Sequence, residues 1–155
     1  MRYRDIARSG MLLLPFVFPQ LANAASPSVK DALSLKPVQR GIDYQQPTSN
    51  EIADCTIKSE KEGKISGWVV RDANGQLLRR FLDTNNDNKV DRWCYYADGI
   101  EVYRDVDTDF NGKADQYRWL GTAGTRVGTD KNEDGKIDQW KAISPEEVSA
   151  EVVAA

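Results

Sequence analysis

From Glu51 to Ile143 apolar residues recur in short runs of aromatic and β-branched type, broken by Gly, Asn and Asp. That alternation is the signature of strands with one buried face. Residues 55–60 and 64–71 flank Glu62-Gly63. Residues 67–70 and 76–82 flank Asp72-Ala73-Asn74-Gly75, and residues 93–97 and 100–106 flank Asp98-Gly99. Asn-Gly and Asp-Gly tolerate the positive φ of tight hairpins. Residues 116–120 and 125–128 flank Gly121-Thr122-Ala123-Gly124, and residues 139–143 make a last strand. The pattern predicts a mostly β chain of antiparallel hairpins in a meander. Trp68, Trp93, Tyr95, Tyr117, Trp119 and Trp140 fall on alternating positions, mostly as i, i+2 pairs. Core packing and cross-strand stacking explain that spacing; an exposed carbohydrate- or peptide-binding aromatic face is the alternative.

The ends differ from the middle. Residues 1–10 carry Arg2, Arg4 and Arg8, an apolar run follows at 11–21, and Ala22-Asn23-Ala24 supplies small residues. That order predicts a secretory signal peptide over 1–24, cleaved after Ala24. The run is too short to span a bilayer, so no membrane span is expected after cleavage. The mature chain is expected in the periplasm, at the cell surface or outside the cell. Residues 25–50 hold Pro27, Pro37 and Pro47 and read as a linker, with room for a helical turn or two from Val29 to Leu35. Residues 51–143 form the β-repeat module. At 144–155 a helix start is predicted: Ser144 caps, Pro145 takes the first helical position and Glu147 completes a capping box. It reads as the lead into a downstream region.

Internal repetition is the strongest feature. Three nine-residue segments align without gaps. The first holds Asp83, Asn85, Asp87, Lys89 and Asp91; the second Asp107, Asp109, Asn111, Lys113 and Asp115; the third Asp130, Asn132, Asp134, Lys136 and Asp138. Positions 1, 3, 5 and 9 carry side-chain oxygens, and position 7 offers the carbonyl of a lysine. Calcium takes oxygen ligands at flexible geometry, whereas magnesium wants rigid octahedra. Transition metals favour His or thiolate, and the chain has no His. Position 6 needs a sharp turn, met by Asn88, Gly112 and Gly135. Ordinary polar turns are the competing reading.

These loops resemble the D-x-[DN]-x-[DN]-G-x-x-D loops of thrombospondin type 3 repeats, dockerins and integrin β-propeller blades. They match the first nine positions of an EF-hand loop. At position 12, where a bidentate Glu is required, Cys94, Arg118 and Lys141 stand instead. The resemblance implies Ca2+ at the weak, extracellular end of the affinity range. A second resemblance rests on Leu35-Lys36-Pro37-Val38-Gln39, Gly67-Trp68-Val69-Val70, Leu78-Arg79-Arg80-Phe81 and residues 98–105. These stretches resemble the N-terminal region of large exported bacterial proteins that carry a redoxin domain. That resemblance implies a modular context, with another domain of the same protein or a cell-surface component as partner.

Charge and cysteines narrow the function. Of 155 residues, 21 are Lys or Arg and 24 Asp or Glu. Loss of residues 1–24 removes three Arg and one Asp, leaving the chain near −5. That argues against nucleic acid. Without His there is no histidine acid–base chemistry, and no nucleophile–base pair, phosphate loop or dinucleotide fingerprint indicates an enzyme. Cys55 and Cys94 lack C-x-x-C spacing. In an exported chain they are expected to form one disulfide, closing a loop of about 40 residues worth up to ~4 kcal/mol. The expected function is a non-catalytic, calcium-stabilised β-repeat spacer or interaction module.

Overall fold

The computed structural model describes residues 27–147. The expected signal peptide over 1–24 and residues 148–155 of the expected C-terminal helix lie outside the described residues. Eight strands follow in chain order: β1 Thr56–Glu62, β2 Ile65–Arg71, β3 Leu77–Asp83, β4 Arg92–Ala97, β5 Ile100–Val106, β6 Gln116–Gly121, β7 Gly124–Thr129 and β8 Gln139–Ile143. They form one antiparallel sheet in which each strand pairs with the next. The expected β-meander is therefore the fold. Its connectivity sends the turn at 62–65 and all three aspartate loops to one end of the sheet.

Register sorts every side chain onto one of two faces. One row runs Trp68, Phe81, Trp93, Asp105, Tyr117, Gly128, Trp140 across neighbouring strands. We call this the inner face. All six aromatics singled out above lie on it. The row Val69, Arg80, Cys94, Arg104, Arg118, Val127, Lys141 marks the outer face. Bulges at Val70/Arg71 and Tyr95/Tyr96 shift the register, so that beyond them Leu77 of β3 and Glu101 of β5 join the outer face.

The inner face is the larger core, and the N-terminal segment covers much of it. Ser28 caps α1, Val29–Ser34, by accepting the N–H of Asp31 at 3.1 Å. Ala32, with Val29, Leu33 and Leu35, packs onto Trp68, Val70, Leu78 and Phe81. Further along, Ile42 and Tyr44 pack onto Tyr95, Tyr103 and Tyr117. Backbone bonds fix this path: Gln45 N–H donates to the Tyr96 carbonyl at 2.8 Å. The expected linker at 25–50 is corrected accordingly: over its described part it is a strap that closes the core. A single sheet exposes two faces, and a run of prolines with spaced apolar residues covers one of them without adding a strand.

The expected disulfide is also corrected. Cys55 and Cys94 are free, buried thiols. Cys55 packs in the inner cluster with Trp68 and Phe81, and Cys94 in the outer cluster with Leu82 and Tyr96. The sheet itself separates them. At the C-terminal end the capping box is present: Ser144 N–H donates to Glu147 Oε2 at 2.8 Å, and Glu147 N–H to Ser144 Oγ at 3.3 Å.

Candidate metal loops

Each loop begins where an inner-face position runs off the end of a strand and ends on an inner-face position of the next. Asp83, Asp91, Asp107, Asp115, Asp130 and Asp138 thus share one row along the sheet end. Backbone bonds stitch this row. The N–H of Asp91, Asp115 and Asp138 donates back across its loop to the carbonyl of Leu82, Val106 and Thr129, at 2.8, 3.0 and 2.9 Å. The N–H of Asp107 and Asp130 donates to the carbonyl of Asp91 and Asp115, both at 2.8 Å, joining successive loops.

Inside the loops one hydrogen-bond plan occurs three times. The position-1 carboxylate accepts the N–H of position 6: Asn88 on Asp83 at 2.8 Å, Gly112 on Asp107 at 2.7 Å, Gly135 on Asp130 at 2.7 Å. Its other oxygen accepts the N–H of position 5 at 3.2–3.3 Å. Position 3 accepts from the N–H of position 5 and position 5 from that of position 7. The position-9 carboxylate accepts the N–H of position 2: Thr84, Thr108 and Lys131, each at 2.8 Å.

Position 6 has positive φ as expected: 68° at Asn88, 94° at Gly112, 84° at Gly135. Position 4 does too, at Asn86, Phe110 and Glu133, with φ of 65°, 62° and 57°. Sequence reasoning missed this, because Phe and Glu give no sign of a left-handed conformation. It also missed position 8. Val90, Ala114 and Ile137 turn onto the inner core and anchor each loop. Ile137 seats over Gly128, where an added Cβ would meet its Cδ1 at 2.7 Å. Between loops, Glu133 accepts from Asn111 Nδ2 and pairs with Lys113 Nζ at 3.2 Å.

The four carboxylates Asp83, Asp91, Asp107 and Asp130 are 0–2% exposed. Burial pushes the Asp107 carboxyl above its usual range, against the pull of the Gly112 N–H. No lysine or arginine forms an ion pair with these four among the described residues. Their negative charge meets backbone N–H groups and two hydroxyls, Thr84 Oγ on Asp91 at 2.9 Å and Tyr117 Oη on Asp130 at 3.3 Å. Among the described residues no three acidic or thiol side chains converge on one point. The loop donors are nonetheless all oxygen, which is the chemistry a hard cation takes. A carboxylate has about four acceptor sites, and Asp107 commits two of them to the N–H groups of Asn111 and Gly112.

Two further charged groups lie under the strap, and neither was anticipated. Asp105 is 2% exposed and accepts Tyr103 Oη–H at 2.6 Å and the Val38 N–H at 3.1 Å. Burial pushes its pKa up to about 7, and the two hydrogen bonds oppose that. A cavity of about 200 Å³ adjoins it, lined by Leu35, Val38, Trp93, Tyr95 and Ala114. Arg79 is fully buried between the rings of Tyr44 and Tyr95, 4.5 and 5.3 Å from their centroids. Desolvation lowers its pKa to about 10, while the two tyrosines oppose the shift. The alternation on β3 and β5 already pointed both residues inward.

The aromatic face divides. Trp68, Tyr95 and Tyr117 are buried, Trp93 and Trp119 are half-buried, and Trp140 is 50% exposed on edge strand β8. Comparison with protein-family models, curated proteins and solved structures found no match.

Proposed function

We propose that this chain is a non-catalytic β-meander module of an exported protein whose three aspartate loops bind Ca2+. One observation carries the reading: buried carboxylates without ion-pair partners, at the same loop position, three times in register. Asp83, Asp107 and Asp130 would hold the ion together with the oxygens of positions 3, 5 and 9 and the carbonyls of Lys89, Lys113 and Lys136. The bound charge would offset the carboxylate row along the sheet end and fix the spacing of β3 to β8. Such a module presents or spaces other parts of its protein. The glycan-binding alternative retains Trp140 alone among the six aromatics as a well-exposed ring.

Calcium that binds folded loops and not the unfolded chain raises stability by RT ln(1 + [L]/Kd) per site. At millimolar calcium and a Kd near 10⁻⁴ M that is about 1.4 kcal/mol for each site. Calorimetric titration of the chain with calcium, before and after chelation, tests it. Asp130→Ala is expected to weaken the third loop. Asp72→Ala is expected to leave calcium binding unchanged, since Asp72 caps the Asn74 and Gln76 N–H groups of a hairpin turn. Lys131→Ala is expected to be mild. Equal behaviour of Asp130→Ala and Asp72→Ala, or a melting temperature indifferent to chelation, would refute the reading.

A further inference from the structure

Arg79 and Asp105 are both buried on the inner face, 0% and 2% exposed, and the chain meets their charges differently. The Arg79 guanidinium lies 4.5 and 5.3 Å from the ring centroids of Tyr44 and Tyr95 and donates to the carbonyls of Gln45 and Leu78. This face therefore already holds one organic cation against aromatic rings. Asp105 has no cation. Among the described residues no lysine or arginine forms an ion pair with it. Each of its oxygens accepts one hydrogen bond, Oδ1 from Tyr103 Oη–H and Oδ2 from the Val38 N–H. A carboxylate has about four acceptor sites, so about two remain open.

Asp105 lines a cavity of about 200 Å³. Register places Trp93 of β4 directly opposite Asp105 of β5, close enough for the two side chains to meet one guest. Tyr95, two residues along β4, lines the cavity as well. Arg79 stands opposite Tyr95 on β3, on the other side of β4 from Asp105. The strap contributes Leu35, Lys36 and Val38. Lys36 and Val38 are exposed, so the cavity opens to solvent at the strap. Benzene enters an engineered apolar cavity of about 150 Å³, so a guest with one six-membered ring fits this one.

We infer that this cavity is a binding site for a small organic ammonium ion, a charged primary amine with an aromatic or alkyl body. An inorganic cation such as calcium takes about 6–8 oxygens, and the side chains of this cavity offer one carboxylate. A guest that brings its own apolar body needs one carboxylate and apolar walls. The ammonium supplies donors to the open sites of Asp105 in charge-assisted bonds, and Trp and Tyr rings attract a desolvated cation. An anion would be repelled by Asp105. A neutral apolar guest would leave a buried carboxylate unpaired.

Benzylammonium is the probe and benzyl alcohol its neutral counterpart of the same shape, each titrated by calorimetry against the full chain at pH 8. Benzylammonium is expected to bind saturably, about tenfold or more tighter than the alcohol. Asp105→Asn is expected to remove that preference and to leave the affinity for the alcohol within about twofold. Lys36→Glu, at the exposed rim, is expected to tighten benzylammonium about threefold and not the alcohol, a readout that stands whatever Asp105→Asn does to the fold. Lys141→Glu, exposed on the outer face, is expected to change neither. Millimolar calcium is expected to leave benzylammonium bound, although Gly112 of the second loop also lines the cavity. No saturable binding, equal affinity for amine and alcohol, or Lys36→Glu indistinguishable from Lys141→Glu would overturn the proposal. Displacement of benzylammonium by calcium would move the amine to the aspartate loops and overturn it too.

Discussion

The two faces of the sheet solve the same problem by different means. On the inner face a separate segment supplies the cover: Ala32, Leu35 and Tyr44 come from outside the sheet and close over Trp68, Phe81 and Tyr95. On the outer face no separate segment lies among the described residues, and arginines flank the buried apolar positions by register: Arg80 beside Val69, Arg92 beside Leu82 and Arg104 beside Cys94. Aliphatic stems shield apolar surface while their charged heads stay wet. A cover from elsewhere in the chain makes a dry, close-packed interior. A cover made of flexible side chains leaves a face that is both shielded and charged.

Phe81 and Leu82 test this difference side by side. They are neighbours on β3, 0% and 6% exposed, on opposite faces. Phe81→Ala is expected to cost about 3–5 kcal/mol, because the strap and sheet cannot collapse into the void. Leu82→Ala is expected near the low end of the leucine range, about 2 kcal/mol, because arginine stems can settle into the space. Urea denaturation of both variants reads the gap. Equal losses would mean that the outer face is as rigid as the inner.

Asp105 gives the next largest effect and belongs to the inner face alone. Its folded pKa of about 7 lies above the ordinary value near 3.9. Between about pH 4 and 7 the folded chain therefore holds a proton that the unfolded chain has released. The contribution of Asp105 to stability is therefore greatest below pH 4, falls as pH rises through 7 and is level above. Each factor of ten is worth about 1.4 kcal/mol, so the fall is at most on the order of 4 kcal/mol. Asp105→Asn imitates the protonated acid: its amide donates to Tyr103 Oη and its oxygen accepts from the Val38 N–H. Melts from pH 4 to 8 are expected to show the slope in the parent and to lose it in the variant.

How far these faces were legible in the sequence follows from their physics. Alternation and turn residues are local, so the strands, the hairpins and the shared side of the six aromatics could be read directly. The repeated Asp positions and the turn at position 6 are local too. What covers a face is not local. Leu33 and Tyr44 carry no mark that they will lie on strands far away in the chain, and the prolines between them suggested a linker. The cysteines failed for the same reason: two thiols and an export signal suggest a bridge, but only register shows that a sheet stands between them. Asp105 and Arg79 were within reach, because a charged residue in an inward alternation slot is itself a signal.

The smallest expected effects lie on the outer face and decide whether its charges are a core or a coat. Glu60 meets Arg80 through one contact, with side chains 38% and 27% exposed. Glu101 grips Arg104 with both oxygens, at 2.7 and 3.0 Å, and both side chains are 19% exposed. Two-point pairing with less water favours the second. Partly exposed ion pairs contribute about 0–1 kcal/mol, so Glu60→Gln is expected near zero and Glu101→Gln near the top of that range. Both losses are expected to shrink in 1 M salt, where the screening length falls to about 3 Å. A dry pair behaves otherwise: removing one partner strands a buried charge and costs about 3–5 kcal/mol whatever the salt. Arg104 also faces Arg118 across the strand pair, so Glu101→Gln removes the acid that pairs with Arg104 beside a like charge. If thermal melts in low and high salt give a loss above 3 kcal/mol that salt does not reduce, the outer arginines are a buried network, and the contrast between the faces fails.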